Sequence, residues 1–93
     1  MKTLLILALA AYPVAKPPAR YDHAFAGKTT VTRYATIAEV TQRCGTFLLV
    51  LGCAPIGGIG GVCNIQIARV GQDDQLIRHE RAHCNGWAAG HYP

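Results

Sequence analysis

Apolar and polar positions change period several times along this chain, and each change marks an element. Lys28 to Tyr34 alternates and is rich in Thr and Val, which predicts a strand. Thr36-Ile37-Ala38-Glu39 reads as a capping box. The Thr36 hydroxyl is placed to accept from the amide three residues on, and Glu39 to turn back to the Thr36 N–H. Ile37, Val40 and Cys44 share one face of the helix that follows, and Gly45 is placed to end it in a left-handed conformation. Phe47 to Ala54 is apolar and β-like, the pattern of a buried strand. The tract from Pro55 to Gly61 predicts a flexible hairpin loop, since it lacks the spacing and lysine of a phosphate cradle. Val62 to Val70 alternates again, with Cys63, Ile65, Ile67 and Arg69 on one face and Val62, Asn64, Gln66 and Ala68 on the other. Gly71-Gln72 makes a turn, and Asp73 or Asp74 is placed to cap a second helix. Leu76, His79, Glu80, His83, Cys84 and Trp87 fall on one side of that helix, Arg78, Arg81 and Asn85 on the other, and Gly86 stops it. The order β-α-β-β-α predicts an α+β domain with two helices on a small three-stranded sheet.

The N-terminal residues have a different composition. Lys2, the apolar run Leu4 to Ala11 and the small residues that follow read as a secretory signal, with Ala15 the expected last residue before cleavage and Ala10 or Ala11 as other sites. The apolar run is too short to span a bilayer, and Pro13, Lys16, Pro17 and Pro18 interrupt it. The expected divisions are residues 1–15 as signal, 16–27 as an extended arm and 28–93 as the folded domain. This predicts a secreted or periplasmic protein with no membrane association after cleavage.

So small a domain buries a limited core and needs staples. Cys44, Cys53, Cys63 and Cys84 form an even set, which behind a signal reads as two disulfides. In a strand-turn-helix reversal, the start of the last strand and the end of the last helix return to one end of the domain. This favours Cys44–Cys53 with Cys63–Cys84, and leaves Cys53–Cys63 with Cys44–Cys84 open. A zinc site of all four cysteines would lack any CxxC pair. The formal net charge of +4 comes from scattered residues. That is ordinary solubility, and with no nucleic-acid motif present a monomer without a nucleic-acid partner is expected.

The densest chemistry is His79-Glu80-Arg81-Ala82-His83, which continues through Gly86 and Trp87 to His91. Residues four apart share a helix face, so His79 and His83 can present two imidazoles to one metal ion. Glu80 is about 100° round the helix from His79, within reach of a water at that ion. Two imidazoles suit Zn²⁺, and the carboxylate suits a general base. A catalytic zinc takes three protein ligands and keeps one position open. The helix stop at Gly86 lets the chain fold back, which makes His91 the expected third ligand. With two residues after it in this sequence, it is preferred to a glutamate on a further helix. His23 is the reserve.

The segment from His79 to His91 resembles the zincin metallopeptidases, and within them the extended HExxHxxGxxH motif of the metzincins. The β-α-β-β-α order is similar to a stripped-down zincin core. The resemblance implies that His79 and His83 are ligands, Glu80 the general base and Gly86 the turn. It departs at Ala89, where the family's third histidine would fall, since His91 stands two residues later, and no Met-turn follows. The implied function is a secreted zinc metallopeptidase acting on a peptide or protein substrate. The substrate is expected along the exposed edge of Val62 to Val70. Tyr92, Tyr34 and Tyr21 are candidates for an oxyanion donor or for plain packing, and Trp87 for the core beneath the site. Two alternatives are a structural zinc site closed by His23 or a cysteine, and an inactive binding module on the same fold.

Overall fold

The computed structural model describes residues 11–92. The apolar run of the expected signal lies outside the described residues, apart from Ala11. The elements follow the expected order: β1 (Lys28–Tyr34), α1 (Ile37–Cys44), β2 (Gly52–Cys53), β3 (Val62–Ala68) and α2 (Asp73–Cys84), preceded by a 3₁₀ turn at Ala19–Tyr21. The fold is α+β with a mixed three-stranded sheet in the order β1-β3-β2. β1 runs parallel to β3, with Val31 beside Ile65, and β2 runs antiparallel to it, with Gly52 beside Ile67.

β3 is the central strand, so both its edges are taken. The expectation of a substrate along the β3 edge is therefore wrong, and the free edge on that side belongs to β2. The reason is topological. Alternation locates the buried face of a strand but not its neighbours.

Cys63, Ile65 and Ile67 form the core face with Leu76 and Cys84 of α2, and all five are buried. The opposite face carries a polar row. Thr30 donates to Asn64 at 3.0 Å and Tyr34 to Gln66 at 2.8 Å. Arg43 of α1 lies over the Tyr34 ring on that side. One disulfide ties a helix to each face: Cys44–Cys53 holds α1 to β2, and Cys63–Cys84 holds α2 to the start of β3. The favoured pairing is the one present, and no described cysteine is free for a metal.

α1 starts as expected. The Thr36 side chain accepts from the Glu39 amide at 3.1 Å, and Gly45 ends the helix with φ 71°. Glu39 does not turn back to the Thr36 N–H; its carboxylate accepts from the Thr36 hydroxyl instead. α2 departs from expectation at its start. Gln72 precedes it without a side-chain cap, and Asp73 is already helical and paired with Arg33 of β1.

Phe47 to Ala54 is a strand only at Gly52–Cys53. Phe47, Leu48 and Leu49 stand in solvent. Hydroxyls satisfy this loop: Thr46 Oγ1 accepts from the Leu48 amide, and Thr41 Oγ1 from the Val50 amide at 3.0 Å. Those local bonds compete with strand pairing, which composition alone does not reveal.

Residues 12–23, which join the end of the expected signal to the proline-containing arm, are laid along α2. At one end the Gln72 side chain pairs with both backbone groups of Tyr12, at 2.8 and 2.9 Å. At the other, Asn85 Nδ2 donates to the carbonyls of Tyr21 and His23. Between them Asp22 is ion-paired with Arg78, and that guanidinium holds its carboxyl below the usual carboxylate range. The arm thus lies against the polar side of α2, where the Arg78 side chain is still 45 % exposed.

Candidate metal centre

α2 presents His79 and His83 one turn apart, as the spacing predicts. Gly86 (φ 107°) turns the chain at the helix end. His91, itself left-handed at φ 58°, returns to the same point and donates its amide to Ala88 O at 2.9 Å. Histidine is among the residues that tolerate this region. The three Nε2 atoms form a nearly equilateral triangle. His79 to His83 is 3.2 Å, and each lies 3.1 Å from His91. Tetrahedral zinc with nitrogen ligands at about 2.0–2.1 Å sets those nitrogens about 3.3–3.4 Å apart, so the triangle fits.

Protonation supports the fit. His79 Nδ1 lies 2.8 Å from the Ala15 carbonyl, and His83 Nδ1 lies 2.7 Å from the Trp87 carbonyl. A carbonyl only accepts, so each Nδ1 carries the proton. Burial lowers both pKa values below the usual imidazole range, which favours the neutral ring. Both Nε2 lone pairs then face the third nitrogen at close range. Two lone pairs aimed at one point, with a third ring nitrogen beside them, suit a cation held there. Together, His79, His83 and His91 can hold a metal ion.

No fourth side chain joins the three among the described residues. His23, the reserve ligand, is bonded to its neighbour's carbonyl at Ala24 and lies in the exposed arm. The fourth direction opens on a cleft of about 450 Å³. One wall is Pro13, Val14 and Ala15; the facing wall is Val50 to Ala54 with Ile56. None of the three candidate tyrosines, Tyr21, Tyr34 and Tyr92, lines it. Tyr34 bonds Gln66, and Tyr92 lends its carbonyl to the Trp87 indole.

Glu80 also lines the cleft, is 5 % exposed and has no hydrogen-bond or ion-pair partner among the described residues. Burial pushes its carboxyl up to about 7. β2 approaches it closely. A Cβ on Gly52 would sit 3.4 Å from Glu80 Oε2 and 2.7 Å from the Gln66 carbonyl, so that strand position requires glycine. Trp87 lies beneath the site, 2 % exposed and stacked on His83 at 4.9 Å, in the packing role expected of it.

The spacing reading found the four side chains that converge here. It missed the Ala15 and Trp87 carbonyls and the close approach of Gly52. Backbone groups and absent side chains leave no mark in a motif. The chain matches no known protein family, no curated protein and no solved structure.

Proposed function

We propose that this chain is a zinc-dependent peptidase, with His79, His83 and His91 as ligands and Glu80 as general base, on a minimal zincin-like fold. The observation that carries the reading is the triangle of Nε2 atoms with the Nδ1 protons of two of them committed elsewhere. A zinc ion held there supplies Lewis acidity toward a carbonyl and lowers the pKa of an adjacent water.

Glu80 moves the proton. A buried carboxylate with a pKa of about 7 is matched to accepting a proton near neutrality and returning it to a leaving amine. Its lack of a competing partner keeps it free for this.

The substrate lies on the edge of β2. The Leu51 carbonyl accepts from the Ala68 amide at 2.8 Å, so alternation turns the backbone groups of Gly52 outward, beside Glu80. An extended peptide can add there as a strand. Apart from the histidines and Glu80, the cleft is lined by apolar or small residues, among them Val14, Val50, Leu51 and Leu76. It suits substrates with uncharged, apolar side chains. Two disulfides in so short a chain support an oxidising compartment, hence secretion or a periplasm.

Metal analysis of the purified protein, followed by cleavage of apolar peptides by wild type and Glu80→Gln, tests this. One zinc per chain in both, with cleavage only in wild type, is the expected result. Zinc without any cleavage by wild type removes the peptidase reading, and a folded protein that takes up no zinc removes the metal reading.

A further inference from the structure

The wall formed by Pro13 to Ala15 is built differently from the rest of the cleft. Its side chains offer no chemistry, yet the segment is held by backbone bonds at Tyr12 and by packing on either side of Ala15. The Gln72 side-chain amide pairs with both backbone groups of Tyr12. Val14 packs on the cluster of Ile65, Ile67 and Leu76. Pro17, just beyond, is buried. These anchors leave the Ala15 carbonyl aimed at His79 Nδ1, 2.8 Å away. The corresponding partner of His83 is the Trp87 carbonyl, four residues off and local to the helix end. The partner of His79 lies 64 residues away in sequence and is delivered by the arm.

We propose that the Ala15 carbonyl is a positioning group of the metal centre, and that Tyr12–Ala15 is the strut that holds it there. The inference rests on the metal reading above. Holding the proton on Nδ1 commits His79 Nε2 to the metal and fixes the ring plane. It also raises the basicity of the ligand nitrogen. Without this carbonyl, ring packing against His83, Trp87 and His91 remains, but no partner selects the Nδ1–H form of His79. The consequence reaches maturation. A cut between Ala15 and Lys16 removes the strut, whereas a cut before Tyr12 retains it. The place where a leader is removed therefore sets how tightly the metal is held.

The test replaces one bond. Full-length protein is assembled with an ester in place of the Ala15–Lys16 amide. The ester leaves every side chain intact and makes the Ala15 carbonyl a weaker acceptor. Binding of Co²⁺ and Zn²⁺ is measured by titration, and the melting temperature with a chelator present. The expected result is about tenfold weaker binding with metal-free melting close to wild type, in the range set by loss of an outer-sphere partner. Equal affinity with equal melting overturns the strut while leaving the metal site standing. Wild type that binds neither ion overturns the metal site and this inference with it. Gln72→Ala provides a second arm, because it releases Tyr12 without touching the Ala15 carbonyl; the Gln72 side chain makes no capping bond to the α2 backbone, and its one other bond is to the Gln75 side chain. A several-fold loss of affinity is expected from it. Should the ester protein fail to fold, wild-type affinity in Gln72→Ala overturns the strut.

Discussion

The indole Nε1 of Trp87 donates to the carbonyl of Tyr92 at 2.9 Å. This bond draws the C-terminal segment back over the end of α2, and His91 lies between the two residues it joins. The same indole stacks on His83 and meets His79 and His91 edge-on, so one side chain touches all three converging imidazoles. Trp87→Phe keeps most of the ring and removes the donor. The expected cost is about 1 kcal/mol of stability for the lost bond. Metal affinity should fall by about tenfold through the loosened His91. Titration with Co²⁺ checks it, and wild-type affinity in a folded Trp87→Phe protein would show that the tail is held by other means.

His91→Ala should lower metal affinity by more than the about 10–100-fold seen for outer-sphere partners, because it removes a ligand. The fold should survive, since His91 is exposed and outside every helix and strand. Circular dichroism unchanged from wild type, together with lost zinc, is the expected pair of results. Retained zinc would exclude His91 from the ligand set.

The metal-free protein should be less stable at neutral than at mildly acid pH on account of Glu80. Its carboxyl is raised from 4.5 to about 7 in the folded chain. Between those values the unfolded chain gives up the proton and the folded chain keeps it. Stability from this group is thus full below about pH 4.5 and lost as pH rises to about 7, by about 3 kcal/mol. His79 and His83 act in the opposite sense, because their lowered pKa values cost stability as pH falls below 6.5. Comparing wild type with Glu80→Gln isolates the carboxyl. The stability difference in urea with chelator should change between pH 5 and pH 8, and a flat difference would falsify the assignment.

Cys63–Cys84 closes 21 residues and joins the strand start to the helix end, one residue from His83. Loss of the bridge in Cys63→Ser/Cys84→Ser should cost about 3 kcal/mol. Zinc affinity should fall with it, because α2 is then free to shift against the sheet. The Cys44–Cys53 bridge ties α1 to β2, and only its Cys53 end borders the cleft that the histidines line. Cys44→Ser/Cys53→Ser should therefore lower the melting temperature with a smaller effect on zinc. Equal zinc losses in the two double variants would undo this distinction.

The local elements were legible in the sequence because their causes are local. Thr36 and Gly45 bracket α1 by capping and by a left-handed turn, and both do so in the structure. The alternation of Val62 to Ala68 names the buried face of β3, and helical spacing puts His79, Glu80 and His83 on one side of α2. The stop at Gly86 allows the return of His91, and the reversal of strand into helix brings Cys63 to Cys84. Contacts between distant segments were decided by the tertiary structure. Placing β3 between β1 and β2 moves the free edge to Gly52, and periodicity has no term for strand order. The exposed Phe47-Leu48-Leu49 shows the same limit, because an apolar run does not say whether a partner surface is within reach. The Ala15 carbonyl shows it most clearly. Every residue has such a group, and only packing along α2 selects the one that meets His79.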